Sequence, residues 1–165
     1  MARLGAVGNS EVEATDRHIL SLLATDGRMS FTDLGKATGL STSAVHQRVK
    51  RLEQRGLILG YGASIDHAQV GLPLTAFISI RPIDPSQPDD SPEQLTAISE
   101  IESCWSVAGE ESYILKVRTE TPSALEGLLA RIRAAANVST RTTIVLNTFY
   151  ENRPVSSEEP EVDEG

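Results

Sequence analysis

A short stretch, STSAVHQRVKRLEQRG (residues 41–56), brings hydrogen-bonding side chains to one side of a predicted helix. At about 100° per residue, Ser43, His46, Gln47 and Lys50 fall opposite the apolar positions. Hydroxyls, an imidazole and a planar amide can donate to and accept from the edges of bases in the major groove of DNA. This face therefore predicts contacts with bases.

Arginines follow one edge of the same helix, at Arg48, Arg51 and Arg55, and guanidinium groups are suited to phosphates of the DNA backbone. Glu53 is the single acid here, whereas a solvated helix usually mixes Glu with Lys at i,i+4. On composition alone, a solvated face stays the alternative interpretation. With the helix start included, the predicted DNA-contacting residues are Ser41, Thr42, Ser43, His46, Gln47, Arg48, Lys50, Arg51 and Arg55.

The segments before this helix have the order and spacing of a helix-turn-helix. Residues 16–23 (DRHILSLL) repeat apolar side chains at helical spacing, and Thr15 or Asp16 can cap this helix. A second helix is expected to end at Gly39, and Ser41 is placed to cap the third. Two helices joined by a short turn that contains glycine form the helix-turn-helix motif. The buried stripe of the third helix is predicted to be Val45, Val49 and Leu52.

After residue 56 the apolar pattern changes from helical to alternating. Residues 57–66 are rich in glycine and alternate loosely, which predicts a strand or an extended linker. Further strands are predicted at 74–81, 103–108, 113–119 and 140–150. Helices are predicted to start at Ser91, with Leu95, Ile98 and Ile101 on its apolar side, and at Thr121. The resulting order, β-α-β-β-α-β, is that of a ferredoxin-like unit.

A second constellation, GEESY (residues 109–113), places two adjacent carboxylates beside a glycine. Because neighbouring strand residues point to opposite faces, Glu110 and Glu111 are not expected to converge on one bond. One interpretation is a hairpin turn with solvated carboxylates, and the other is ligand capture by backbone N–H groups around Gly109. We expect no catalytic residue, no metal and no cofactor. The histidines match no metal-ligand spacing: His18, His46 and His67.

The charge of the 165-residue chain, formally −8, is unevenly placed. Residues 1–66 carry eight Lys/Arg and seven Asp/Glu, whereas residues 67–165 carry seven and sixteen, which predicts two units with different partners. No stretch approaches the roughly 18 apolar residues of a membrane helix. A single cysteine, Cys104, is typical of the reducing cytoplasm. We therefore expect a cytoplasmic protein without a membrane partner.

Ordered motifs in both halves of the chain resemble the Lrp/AsnC (feast/famine) family of transcription regulators. These motifs are Asp16 with Ile19-Leu20, Asp26-Gly27-Arg28, Gly39-Leu40-Ser41, the run from Arg48 to Ile58, Gly60-Tyr61 and Gly71. The resemblance covers about residues 15–152. It implies an α+β fold, in which a winged helix-turn-helix domain is joined by a strand linker to a ferredoxin-like βαββαβ effector and oligomerisation domain.

The resemblance also implies three partners: double-stranded DNA, a small amino-acid effector, and further copies of the chain. Homodimers formed through the sheet are expected to assemble further, with an octamer favoured. The family's effector loop has an Asp where this chain has Ser112, so the resemblance assigns pairing with the ligand's amino group to Glu110 or Glu111. The implied effector-binding residues are Val107, Gly109, Glu110, Glu111, Ser112, Tyr113, Thr142, Thr143 and Ile144.

These observations predict a sequence-specific DNA-binding transcription regulator that responds to an amino acid bound between dimers. The alternative is an amino-acid-binding and association module whose helical part reads no DNA. The expected segments are a disordered N-terminal segment (1–13), a helix-turn-helix domain (14–60), a linker strand (61–72), a ferredoxin-like domain (73–152) and an acidic disordered tail (153–165).

Overall fold

The computed structural model describes residues 12–84, 86 and 89–154. They form two compact units. The first contains the described residues up to Ala63 together with those from Tyr150 onward, and the second is Ser64–Phe149. The disorder expected for residues 1–13 and 153–165 concerns segments that lie almost entirely outside the described residues. None of the described helices is long and apolar enough to cross a membrane.

The first unit is built from three helices, α1 (Ala14–Thr25), α2 (Phe31–Thr38) and α3 (Thr42–Gln54). The hydroxyls of Ser30 and Ser41 accept hydrogen bonds from the backbone N–H groups of Asp33 and Ala44, at 3.1 and 3.2 Å. Each bond satisfies a donor that a helix start leaves open. The core of this unit confirms the stripe expected for α3, and it consists of Ile19, Leu34, Val45, Val49 and Leu52.

The turn between α2 and α3 depends on a close backbone approach. Gly39 ends α2 with a φ of 71°, a conformation that favours glycine. The carbonyl of Gly35 accepts a hydrogen bond from the N–H of Leu40 at 3.0 Å. A Cβ atom on Gly35 would lie 2.7 Å from the carbonyl oxygen of Leu40. Any side chain at this position would therefore push α2 away from the turn that presents α3.

The second unit is a sheet with two helices on one face. Its elements are β1 (Leu74–Pro82), α4 (Ser91–Leu95), β2 (Ile101–Ser106), β3 (Tyr113–Thr119), α5 (Pro122–Ala136) and β4 (Val138–Ile144). The strands are antiparallel in the order β2-β3-β1-β4, so the expected ferredoxin-like topology is confirmed. Alternate strand residues such as Ile78 and Leu115 pack with Leu128 and Ile132 of α5 in one core. We call the other side, which those helices do not cover, the open face.

The linker strand expected at residues 61–72 is not formed. Among the described residues, none between 55 and 73 belongs to a strand, and a turn occupies 67–71. The wing implied by the resemblance is likewise absent from this part of the chain. A strand needs a paired neighbour for its backbone groups. Among the described residues, the sheet consists of β1 to β4 alone, so this segment pairs with none of its strands.

Two elements are shorter than their apolar patterns predict. The helix expected to reach Ile101 ends at Leu95, because Ile101 pairs with Val117 as the first residue of β2. The final strand ends at Ile144 instead of residue 150. Its neighbour β1 begins at Leu74, and the register Ala76↔Ile144 puts Leu74 opposite residue 146, so residues beyond 146 have no strand residue opposite them.

Candidate DNA-reading helix and effector cleft

The exposed side of α3 carries the side chains predicted to contact bases. Ser43, His46, Gln47 and Lys50 are all exposed, whereas Val45, on the opposite side, is fully buried. The cap at Ser41 and the core stripe fix the rotation of the helix about its axis. The helix-turn-helix therefore presents this hydrogen-bonding face to solvent, where a DNA groove can reach it.

His46 is backed by an aromatic ring of the preceding helix. The ring centroids of Phe31 and His46 lie 5.2 Å apart at an interplanar angle of 57°. Tilted aromatic pairs at this distance attract each other, because the positive ring edge meets the negative ring face. Phe31 is the first residue of α2, so the helix-turn-helix angle sets where the imidazole of His46 stands.

Arg48 points toward carboxylates of α1. Its Nη1 atom lies 2.8 Å from Glu13 Oε2 and 2.8 Å from Asp16 Oδ1. Asp16 is 1% exposed, whereas Glu13 is largely exposed. The hydrogen bonds with Glu13 and Asp16 raise the pKa of the Arg48 guanidinium above its usual value. The charge of Arg48 is thus matched by carboxylates within the unit.

Arg51 shares the same buried carboxylate more weakly. Its Nη2 atom lies 3.5 Å from Asp16 Oδ2, and half of its side chain is exposed. Glu53, the acid of α3, accepts a hydrogen bond of 3.0 Å from the hydroxyl of Tyr61. Burial and this contact with Glu53 raise the pKa of Tyr61. Arg51 and Arg55 thus remain the exposed guanidinium groups on this edge of α3.

A small cleft of about 160 Å³ lies on the second unit, at the loop before β3. The register places Ser79 opposite Arg141 and Arg81 opposite Ser139 on the open face. The complete lining is Ser79, Ile80, Arg81, Glu110, Glu111, Ser139, Thr140 and Arg141. Both glutamates border this one cleft. Residues 109–112 form bends instead of a strand, and strand alternation does not govern them.

Charges of both signs meet in this cleft. The guanidinium of Arg141 forms an ion pair and hydrogen bond with Glu111, and Glu110 lines the same space. The loop is anchored by its backbone, since Ser112 N donates to Ile80 O at 3.1 Å and Val107 N donates to Ser112 O at 3.0 Å. A guanidinium and two carboxylates match the carboxylate and ammonium groups of an amino acid.

Several residues of the expected effector set lie outside this cleft. Tyr113 packs against the apolar core, and burial and a hydrogen bond to Asp89 raise its pKa. On β4 the open face carries Arg141 and Thr143, because alternate residues share a face. The expected residues that do not line the cleft are Val107, Gly109, Ser112, Tyr113, Thr142, Thr143 and Ile144.

A larger cavity of about 430 Å³ lies beside α4, with Asp84, Asp89 and Asp90 in its lining. Among the residues that the structure describes, no basic side chain lines it, so they offer no cation to a ligand's carboxylate. The smaller cleft carries both signs of charge and is the better match to a zwitterion.

Two family models match the chain in sequence order. The AsnC-type helix-turn-helix domain matches residues 13–53, and the Lrp/AsnC ligand binding domain matches residues 75–155. The chain belongs to the Lrp/AsnC family. It is therefore a helix-turn-helix transcriptional regulator with an amino-acid-binding domain, in a family of regulators that are not enzymes.

Similar proteins of known name support this membership. The HTH-type transcriptional regulator LrpA of Mycobacterium tuberculosis is 54% identical over 145 residues, which cover 88% of this chain and 97% of LrpA. The leucine-responsive regulatory protein of Escherichia coli K12 is 35% identical over 141 residues, 82% of this chain and 85% of that protein.

Solved structures agree with the fold. A feast or famine regulatory protein from M. tuberculosis, complexed with L-methionine, superimposes with a TM-score of 0.84 at 55% identity, covering 86% of this chain and 97% of that one. E. coli AsnC superimposes with a TM-score of 0.78 at 27% identity, covering 85% and 95%.

Three residues of this Lrp/AsnC chain acquire roles that its sequence pattern did not reveal. Asp16 is the buried partner of Arg48 and not a helix cap, since Glu13 occupies the N-cap position. Phe31 supports His46. Arg141 lines the cleft, as Arg81 does, and its guanidinium pairs with Glu111. Of these three residues, only Arg141 could have been found from the sequence, because it is the single charged residue in β4 (VSTRTTI).

Proposed function

We propose that this protein regulates transcription by reading a specific DNA sequence with α3, and that an amino acid bound in the open-face cleft modulates this activity. The observation that carries the proposal is the outward hydrogen-bonding face of α3, held by caps and core within the AsnC-type helix-turn-helix.

Contacts with DNA divide between two sides of α3. Ser43, His46, Gln47 and Lys50 contact base edges, while Arg51 and Arg55 hold phosphates. Ser41 and Thr42, at the exposed N-terminal end of α3, contact the backbone where helix N–H groups favour an anion. Arg48, with its charge matched by α1, is left out of this set.

Salt dependence tests DNA binding. With Arg51 and Arg55 from two protomers, about four phosphates are neutralised, so affinity should fall roughly a hundredfold between about 50 and 200 mM salt. The measurement is fluorescence anisotropy with labelled DNA from the protein's own promoter region. Gln47→Ala should change which sequences are preferred, whereas Arg51→Ala should weaken binding to all sequences alike. Absence of binding at low salt would refute the DNA-reading role.

We infer that the effector is an amino acid, bound through its two charged groups. Arg141 takes the carboxylate, for which Glu111 must release it, and Glu110 or Glu111 takes the ammonium group. At about 160 Å³ the cleft is smaller than the roughly 300–1,000 Å³ typical of ligand pockets. A second copy of the chain would complete the enclosure, which supports binding between dimers.

Trp105 provides a built-in reporter for the effector. Register pairs Trp105 with Ile114, Ile114 with Ser79, and Ser79 with Arg141, so all four lie in one row on the open face. At a strand spacing of about 4.8 Å, the backbone of Trp105 is about 10 Å from that of Ser79. Titration with a panel of amino acids should change the Trp fluorescence for the true effector, and Arg141→Gln should abolish that change.

The open face supports dimerisation. Phe77 and Trp105 on this face are 37% and 47% exposed, although large aromatic side chains favour burial. Two copies paired through this face would cover them and would bring two α3 helices to half-sites about 34 Å apart. Further assembly, with an octamer favoured, would set the exposed loop edge of each cleft, at Glu110, against another dimer. The exposed free thiol of Cys104 is consistent with a cytoplasmic location.

Effector binding is proposed to act through assembly. Occupation of a cleft between dimers favours one association state and thereby the spacing of the reading helices. Light scattering and DNA anisotropy, each with and without saturating effector, measure this coupling. If an effector bound without altering either quantity, the coupling would be refuted.

A further inference from the structure

Two arginines lie on the edge of α3 that faces α1, and they differ in exposure and in their distances to carboxylates. Arg48 is 25% exposed and has two carboxylates at 2.8 Å, whereas Arg51 is 49% exposed and has one at 3.5 Å. Both arginines converge on Asp16, whose side chain is 1% exposed. A buried carboxylate interacts strongly with a guanidinium, because little water screens the pair.

We propose that Asp16 is a positioning residue that withholds Arg48 from the DNA backbone and leaves Arg51 as the phosphate contact on that edge of α3. In this way α1 limits the number of phosphate contacts that the reading helix makes. Phosphate contacts carry no sequence information, so fewer of them leave a larger share of the binding to the base contacts. Asp16 thereby contributes to specificity without touching DNA. The inference rests on the proposed reading of DNA by α3.

The geometry distinguishes Asp16 from the other acid in the network. Glu13 is 61% exposed, and an ion pair with an exposed carboxylate contributes little because water screens it. Neutralising Asp16 leaves Arg48 with Glu13 alone, so Arg48 is free to exchange that carboxylate for a phosphate. Neutralising Glu13 leaves the buried pair intact, so Arg48 stays on α1. Glu13→Gln is therefore the matched control for Asp16→Asn.

The test measures affinity against salt for wild type and for five variants of the full-length protein. Asp16→Asn should release one contact per protomer, which steepens the log–log salt slope by about 1.8 for a dimer. Between 50 and 200 mM salt this adds about a twelvefold loss of affinity. The ratio of specific to non-specific affinity at fixed salt should fall. Glu13→Gln should change neither quantity.

Two further single variants and one double variant identify the source of the extra contact. Arg48→Gln should leave the wild-type slope unchanged, whereas Arg51→Gln should make it shallower by about 1.8 per dimer. The double variant Asp16→Asn with Arg48→Gln should return the slope to the wild-type value. A purely structural role of Asp16 would lower affinity and thermal stability without moving the slope, so circular-dichroism melting is recorded for each variant.

The outcomes separate the two proposals. If wild-type protein binds no DNA, the reading function itself fails. If wild type binds and the folded Asp16→Asn variant keeps the wild-type slope and specificity ratio, the role of Asp16 is overturned while DNA reading stands. A shallower slope for Arg48→Gln would also overturn it, because Arg48 would then contact phosphate in the wild type. That second result decides the question even if Asp16→Asn does not fold.

Discussion

At the residue scale, the contact between Phe31 and His46 links the frame of the helix-turn-helix to the side chains that we propose to read DNA. A 5.2 Å tilted ring contact restricts the imidazole to a narrow range of positions. Removing the ring should free His46 to sample other rotamers without removing its hydrogen-bonding atoms. Fixed side-chain geometry, and not only residue type, then determines how well His46 distinguishes one base pair from another.

We therefore expect Phe31→Leu to weaken discrimination at the base pair that His46 contacts. Loss of an aromatic pair worth about 0.5–1.5 kcal/mol corresponds to a roughly 2- to 13-fold change. Selection from a randomised operator library measures the preference at every position. His46→Ala is the control, since Phe31→Leu should add nothing in its background. A general loss of affinity with unchanged preferences would show that Phe31 serves only the fold.

Arg141 decides the chemistry of the cleft. Its guanidinium pairs there with Glu111, and because the Arg141 side chain is 69% exposed, this carboxylate exchanges readily for that of a ligand. Arg141→Gln keeps a hydrogen-bond donor but removes the charge, and we expect at least about a tenfold loss of amino-acid affinity by calorimetry. Arg81→Gln, on the same cleft, is the matched control and should lose less. An affinity unaffected by Arg141→Gln would place the carboxylate elsewhere.

At the scale of elements, the sequence predicts what local rules determine. Caps at Ser30 and Ser41, the buried side of α3 and the αL turn at Gly39 follow from spacing and residue type alone. The linker and the last strand do not, because an alternating apolar pattern forms a strand only where a paired strand is available. The role of Asp16 could not be predicted either. A carboxylate near a helix start is typical of a cap, and only the structure shows that Arg48 of α3 lies beside it.

The packing of α2 against its turn gives a prediction for a substitution at Gly35. A Cβ at this position would lie 2.7 Å from the Leu40 carbonyl oxygen, so Gly35→Ala must displace the turn. We expect a loss of about 1–3 kcal/mol in the free energy of unfolding. Gly127→Ala in α5 is the control, because no atom lies within 4 Å of its added Cβ and alanine favours helix, so about 0.5–1 kcal/mol should be gained. Urea denaturation gives both values.

At the scale of the whole molecule, the proposed function gives the open face of the sheet two roles, in effector binding and in the pairing of two copies. Phe77 and Trp105 lie on the same face as the cleft, so one surface presents both the aromatic side chains suited to a partner copy and the charges suited to a ligand. This combination of aromatic and charged side chains on one surface does not follow from the sequence of any single strand. It arises because the order β2-β3-β1-β4 aligns alternate residues of strands that are distant in the chain.

Phe77→Asp should therefore disrupt the dimer while leaving the chain folded. Phe77 is 37% exposed and lies opposite Lys116, so an aspartate is tolerated in the single chain. A dimer would have to bury that carboxylate, which costs several kcal/mol. The control is Ile83→Asp, because Ile83 follows β1 and is 62% exposed. Light scattering over a concentration series should show a lower mass for Phe77→Asp than for this control. A mass unchanged by Phe77→Asp would exclude this face as the interface.

The same variant gives a sharper result on DNA. A single α3 reads too few base pairs for tight binding, whereas two helices on linked half-sites add their contacts. Phe77→Asp should thus lose at least about a hundredfold in affinity for a two-half-site operator and halve the salt slope, because the number of neutralised phosphates is halved. Affinity for an isolated half-site should not change. If affinity for both DNAs fell equally, the substitution would have damaged the helix-turn-helix itself and not the pairing of two copies.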